Sequence, residues 1–171
     1  MYLSDQQLML LEQLTYLEDL DLGISLPAKT DNLGQYVDLI VKNEAVMKKL
    51  RADPGEFTSG EQWAAILQGI ANDEDLRKLK PHDVNGSVYA RSFTDPDDES
   101  KGIVIFKGTA DAREWDDDVR GLNVADTPCQ EEARNYIEGL PFKDITVVGH
   151  SKGGNKAQYV TVTSDKVSRC I

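Results

Sequence analysis

Leucines repeat with a helical period at the start of the chain. Over residues 4–20 they fall on one face of a helix, and this face carries Leu8, Leu11, Leu14 and Leu17. Ser4 followed by Gln7 has the spacing of a capping box, in which each side chain accepts a hydrogen bond from the other residue's backbone amide. We therefore predict a first amphipathic helix over residues 4–20.

Three further helices are predicted before residue 80. One spans residues 34–50 and ends before the helix-breaking residues 53–55, which include Pro54 and Gly55. The next begins after Ser59, and its apolar face is formed by Trp63, Ile66, Leu67 and Ile70. A short fourth helix covers about 73–80, so that residues 1–80 are predicted to form a helical block.

Strand-like patterns follow this block. Residues 87–93 alternate between apolar and polar side chains, which predicts a strand with one buried face. An acidic turn over residues 95–101 would join it to the apolar run 102–107 as an antiparallel hairpin. Thr127 and Pro128 then open a helix that runs to about Gly139, because proline is favoured at the first helical position.

The C-terminal residues predict a strand, a helix and a second strand, over 144–149, 152–163 and 167–171. Two strands joined by a helix should be parallel, with a right-handed crossover. We therefore predict that residues 1–171 form one α/β domain, in which residues 87–171 build a mixed, mainly parallel sheet. Since the chain ends inside its last predicted strand, an exposed sheet edge is expected there, and with it self-association.

The turn between these two elements carries the clearest chemical signal. Gly149, His150, Ser151, Lys152 and Gly153 form a Gly-x-Ser-x-Gly motif between a β-branched strand and a helix. This is the pattern of a nucleophile elbow, in which a sharp turn exposes the serine hydroxyl. A glycine-rich turn that binds a nucleotide is the alternative, but the glycine spacings of the dinucleotide and P-loop motifs are absent.

Together with residues 102–121, this motif resembles the lipase-like α/β-hydrolases related to class 3 lipases, and a bacterial branch of them in particular. The resemblance covers about residues 102–160, and it implies a partial α/β-hydrolase fold with Ser151 as the nucleophile. It further implies that Thr109, in the turn after strand 102–107, supplies one half of an oxyanion hole. Lys152 would supply the other half through its backbone amide.

In that family the catalytic acid and histidine follow the elbow, and neither is recognisable here. The two histidines of the chain, His82 and His150, do not match the family position, and Asp165 reads as a turn residue. The resemblance therefore predicts a C-terminally incomplete hydrolase that is inactive as this chain. Whether the chain is itself an enzyme is left open.

The composition and charge of the chain limit the classes of partner that we expect. Nineteen basic and thirty acidic residues give a net charge of −11, which repels phosphate backbones, so nucleic-acid binding is not expected. No apolar run is long enough for a transmembrane segment, and neither a signal peptide nor a disulfide framework is evident; we expect a cytoplasmic protein. No cofactor and no metal are expected, since the spacings of zinc and calcium sites are absent.

Two functions are favoured, and transfer of the acyl group from Ser151 to an acceptor other than water stays open. The first is a serine hydrolase of the lipase or esterase type that acts on a small or lipid-like carboxylic ester or thioester through an acyl-Ser151 intermediate. The second is a non-catalytic, hydrolase-like module that binds a partner or an acyl ligand. Covalent labelling at Ser151 would discriminate between them.

Overall fold

The computed structural model describes residues 1–20, 22, 32–52, 58–108 and 126–171. These residues form seven α-helices, one short 3₁₀-helix and a five-stranded mixed sheet. The chain is thus of the general α/β class that its sequence predicts.

The N-terminal block begins with α1 (Asp5–Leu14), which continues as a 3₁₀-helix over Thr15–Asp19. The remaining helices of the block are α2 (Leu33–Val41), α3 (Glu44–Ala52), α4 (Gly60–Asn72) and α5 (Glu74–Lys78). The predicted capping box of Ser4 with Gln7 is confirmed, and Ser59 with Gln62 forms a second one at the start of α4.

The prediction of one helix over 34–50 was wrong, because the chain breaks between α2 and α3. Asn43 lies at this break, and its side-chain Oδ1 accepts hydrogen bonds from the amides of Ala45 and Val46 at 3.1 and 3.2 Å. Asparagine in this role favours a new helix start over continuation of the old helix.

The sheet contains β1 (Lys80–Asn85), β2 (Ala90–Thr94), β3 (Lys101–Phe106), β4 (Asp144–Gly149) and β5 (Val167–Cys170), in that spatial order. Two further helices, α6 (Pro128–Gly139) and α7 (Lys152–Thr163), flank β4 in sequence. The hairpin of β2 with β3 and the parallel pair of β4 with β5 are as predicted.

Two features of the sheet differ from the prediction. It is not mainly parallel: β1–β2 and β2–β3 are antiparallel, and β3–β4 and β4–β5 are parallel. The sheet also begins at Lys80 and not near residue 87, because residues 80–85 pair with β2. β5 lies at one edge of the described sheet, and self-association through it stays a prediction.

The sheet is covered on both faces. One face packs against the N-terminal helices through Phe93, Ile103, Ile105 and Val148. The opposite face packs against α6 and α7 through Ala90, Val104, Phe106, Ile145 and Val147. This alternation along β3 and β4 is the strand period of two. None of the helices in the described ranges has the length and apolar character needed to cross a bilayer.

Candidate functional site

The carboxyl ends of β3 and β4 lie side by side. The two strands are parallel and in register, with Phe106 opposite Gly149. The residues that leave β3, Lys107 and Gly108, therefore lie at the same edge of the sheet as Ser151. In open α/β sheets this edge is the usual place for a ligand.

Ser151 has an unusual backbone. Its φ is 55° and its ψ is −121°, and it lies directly before the first residue of α7. Residues other than glycine rarely adopt a positive φ, and holding one there costs on the order of 1–3 kcal/mol. The side chain is exposed. A strained, exposed serine between a strand and a helix is the geometry that the motif predicts.

Two glycines make this turn sterically feasible. A Cβ atom at Gly153 would lie 2.0 Å from the carbonyl oxygen of Phe106, and one at Gly149 would lie 2.3 Å from the backbone of Gly153. A side chain at either position would push α7 away from the sheet. The two glycines of the motif therefore serve the close approach of helix and strands, and this approach holds Ser151 in its strained conformation.

Lys152 is the first residue of α7. Amides at a helix N-terminus point towards the preceding turn, and the positive end of the helix dipole lies there. The Lys152 side chain is buried, with 4% of its surface exposed. Thr109, the other predicted oxyanion residue, lies outside the described residues, which stop before it at Gly108.

Tyr16 reaches this edge of the sheet from the N-terminal block. Its hydroxyl oxygen accepts a hydrogen bond from the amide of Gly108 at 3.0 Å, and it lies 3.5 Å from Nδ1 of His150. Lys107 places its ammonium group 5.3 Å from the centre of the Tyr16 ring and forms an ion pair with Asp19. The 3₁₀-helix is therefore joined to the loops after both β3 and β4.

Glu12 lies one helical turn before Tyr16 and is buried, with 5% of its surface exposed. Its Oε2 accepts a hydrogen bond from Gln13 at 2.7 Å, whereas Oε1 has no hydrogen-bond partner among the described residues. Burial raises the pKa of the Glu12 carboxyl, and the hydrogen bond from Gln13 and the nearby His150 oppose this rise. Burial and the Glu12 carboxylate raise the pKa of Tyr16 to about 12, so that its hydroxyl keeps its proton at neutral pH.

The other sequence candidates do not approach Ser151. His82 is in β1, and its ring lies against that of Phe142, with centroids 4.9 Å apart and planes tilted by 60°. Phe142 precedes the start of β4. With two strands between β1 and β4 and about five residues along β4, His82 is roughly 20 Å from Ser151. Asp165 is an exposed turn residue beyond α7, whose twelve residues separate it from Ser151 by about 18 Å.

The contacts of three polar residues, Tyr16, Glu12 and Lys156, were not predicted from the sequence. Lys156 is buried, with 1% of its surface exposed, and its Nζ donates to the carbonyl oxygen of Val88 at 3.2 Å. A signal was present for this lysine, because it lies next to Ala157 on the helix face that carries Gly153 and Val160. Tyr16 fell outside the leucine stripe of α1, and a helical period alone could not indicate its partner ninety-two residues later.

A cavity of about 310 Å³ lies at the opposite end of the sheet, where β3 and β4 begin. Its lining includes Lys101, Asp144 and Arg169 but none of the predicted site residues. Within the described ranges, no three His, Cys, Asp or Glu side chains come together in a way that could hold a metal ion.

Comparison with known proteins gives one match. A family model described as Mbeg1-like matches residues 78–171, which is more than half of the chain and includes β3, β4 and α7. Neither the curated proteins nor the solved structures contain a match.

Proposed function

The chain belongs to the Mbeg1-like family, and from the geometry of its Ser151 turn we propose that it is a serine hydrolase of the lipase or esterase type. The observation that carries the proposal is the strained, exposed conformation of Ser151, held by the close contacts at Gly149 and Gly153. Strain of this kind persists where the surroundings enforce it, and it is concentrated at functional sites. The resemblance of residues 102–160 to lipase-like hydrolases adds support.

The proposed substrate is a carboxylic ester or thioester. The Ser151 oxygen forms a bond to the acyl carbon, the bond to the alcohol or thiol breaks, and the serine proton passes through a base to the leaving group. Water then attacks the acyl-enzyme, so that the acid is released and the Ser151 hydroxyl is restored. Negative charge on the carbonyl oxygen would be stabilised by the amide of Lys152 and, in the proposal, by that of Thr109.

The base is assigned to neither histidine of the chain. His82 lies too far from Ser151, and the Nδ1 atom of His150 faces Tyr16. This placement of the two histidines favours the second candidate function, a hydrolase-like module that binds an acyl ligand or a partner without turnover. The two functions differ in whether the Ser151 hydroxyl reacts.

Labelling with a fluorophosphonate probe tests the proposal. The serine oxygen displaces fluoride from phosphorus, so that only an activated serine reacts. The proposal predicts that the chain is labelled, in contrast to the inactive chain that the family resemblance predicts, and that Ser151→Ala loses labelling completely. Ser100→Ala is the matched control, because Ser100 lies in the turn before β3, at the opposite end of the sheet, and its hydroxyl donates locally to the Asp98 carboxylate.

Equal labelling of Ser151→Ala and the unsubstituted chain would exclude Ser151 as the nucleophile. Indifference of the unsubstituted chain to the probe, together with binding of a fatty-acyl ligand that survives Ser151→Ala, would favour the binding module. Turnover of matched ester and thioester substrates by a labelled chain would then identify the substrate class.

A further inference from the structure

Among the described residues, a side chain of the N-terminal block hydrogen-bonds to the backbone of a loop beside Ser151. This side chain belongs to Tyr16 in the 3₁₀-helix. Its hydroxyl accepts from the Gly108 amide at 3.0 Å. Gly108 is buried, and a Cβ atom there would lie 2.7 Å from this hydroxyl and 3.2 Å from the carbonyl oxygen of His150. The start of the loop after β3 is therefore held between Tyr16 and the turn that carries Ser151.

The Tyr16 hydroxyl also faces His150. Because its oxygen accepts from Gly108, its proton must point elsewhere, and Nδ1 of His150 lies 3.5 Å from the oxygen. The imidazole tautomer determines which of these two atoms is the donor.

We propose that Tyr16 is a positioning residue for the chemistry at Ser151: its hydroxyl fixes the Gly108 amide and the His150 ring relative to the serine. The proposal rests on the proposed function, since Gly108 directly precedes the proposed oxyanion residue Thr109 in the sequence. An oxyanion donor acts only if it is held in place before the reaction, and a misplacement of about 1 Å can cost about 100-fold in rate.

In this arrangement the N-terminal block does more than cover the sheet, because it also contacts the edge near Ser151. Its leucines, such as Leu11 and Leu14, bury one face of the sheet, and this packing places Tyr16 at the edge where β3 and β4 end. Lys107 strengthens the link through its ion pair with Asp19 and its contact with the Tyr16 ring. The hydroxyl adds what packing alone does not provide, a directional bond to one backbone amide.

Tyr16→Phe removes this bond and keeps the ring. Tyr136→Phe is the matched control, because Tyr136 is also half-buried, has a pKa raised to about 12 by burial, and donates its hydroxyl to Ser92 on β2, away from the site. The two variants should lose similar stability. The readouts are the rate of fluorophosphonate labelling of Ser151, separated into a maximal rate constant and an apparent affinity, and the hydrogen exchange of the Gly108 amide.

We expect Tyr16→Phe to lower the maximal labelling rate constant by about 10- to 100-fold with little change in apparent affinity. Exchange of the Gly108 amide should accelerate by about tenfold, because one protecting hydrogen bond is lost. Tyr136→Phe should match the unsubstituted chain in both.

Labelling of Tyr16→Phe within about twofold of Tyr136→Phe, with a fully labelled unsubstituted chain, would overturn the proposal and leave the hydrolase function standing. If the unsubstituted chain is not labelled, the proposed hydrolase function is refuted, and the proposed positioning role of Tyr16 is refuted with it. Hydrogen exchange tests the structural claim independently of labelling. If Tyr16→Phe leaves the exchange rate of the Gly108 amide unchanged, Tyr16 does not hold that amide in place.

Discussion

Replacing Gly153 by alanine tests how rigidly the Ser151 turn is built. The new Cβ would lie 2.0 Å from the carbonyl oxygen of Phe106 and 2.7 Å from that of Lys107. Both obstacles are backbone atoms at the end of β3, a strand paired on both sides, so no side-chain rotation relieves the clash. Since real Cβ contacts stay beyond 3.0 Å, α7 would have to move away by at least about 1 Å.

The expected loss follows from two opposing effects. Overpacking of this kind costs about 1–3 kcal/mol or more, and the clash with fixed backbone places Gly153→Ala at the upper end. Alanine gains up to about 1 kcal/mol of helix propensity over glycine. The free energy of unfolding should therefore fall by about 2 kcal/mol or more, and the shift of α7 should also loosen Ala157 and Val160 in the core.

Urea unfolding measures this change. With a denaturant slope of about 1–3 kcal/mol per molar for a small domain, the midpoint should fall by about 1 M. Gly139→Ala is the control: Gly139 is also helical, nothing lies within 4 Å of its added Cβ, and its φ is outside the left-handed range. The control should be neutral or slightly stabilised. Coinciding unfolding curves for Gly153→Ala and Gly139→Ala would refute the argument that close contact at Gly153 maintains the turn.

Two further predictions concern pH. The pKa of the Glu12 carboxyl is raised from its ordinary value of 4.5, so the folded state holds this proton more tightly than the unfolded state does. The resulting stabilisation is complete below pH 4.5 and is lost as the pH rises through the pKa of the folded state. In urea titrations, Glu12→Gln should therefore gain stability relative to the unsubstituted chain between about pH 4 and pH 8. Parallel curves over this range would contradict it. Asp38 has the opposite sign, since hydrogen bonds from Arg77 and Lys42 lower its pKa; Asp38→Asn should be less stable at pH 7, and the difference should shrink in acid unfolding as the pH falls from 3.8 towards the lowered pKa of the folded state. A stability difference that is the same at pH 7 and at pH 2 would be inconsistent with this assignment.

The elements around Ser151 could be predicted from the sequence because their signals are local. The apolar run 144–149 is bounded by glycine, and the helix 152–163 starts within the motif itself; both have the predicted bounds. The spacing of Gly149 and Gly153 also indicates the close approach that the structure contains. Such features depend on neighbours within a few residues, which a single sequence displays directly.

β1 could not be predicted, because nothing local favours it. Residues 80–85 include a proline, a histidine and an aspartate and have little β-propensity, and the strand lies at the edge of the sheet, where proline is tolerated. Pairing with β2 determines its conformation. The contact of Tyr16 with Gly108 is of the same kind, since it joins residues ninety-two positions apart and has no local pattern.

The two halves of the candidate site therefore depend on different interactions and should respond separately to substitution. The Ser151 turn is held by backbone contacts of Gly153, which are part of the packing of α7 on the sheet, so that damage to the turn must also reduce stability. The loop at Gly108 is held by one hydroxyl at the rim of the core, whose loss exposes little apolar surface. If both halves serve one reaction, Gly153→Ala should lose stability and labelling together, whereas Tyr16→Phe should lose labelling far beyond its loss of stability. A chain that only binds a ligand would not show this loss of labelling in Tyr16→Phe. The comparison of the two variants therefore distinguishes a reactive serine from a turn that serves packing alone.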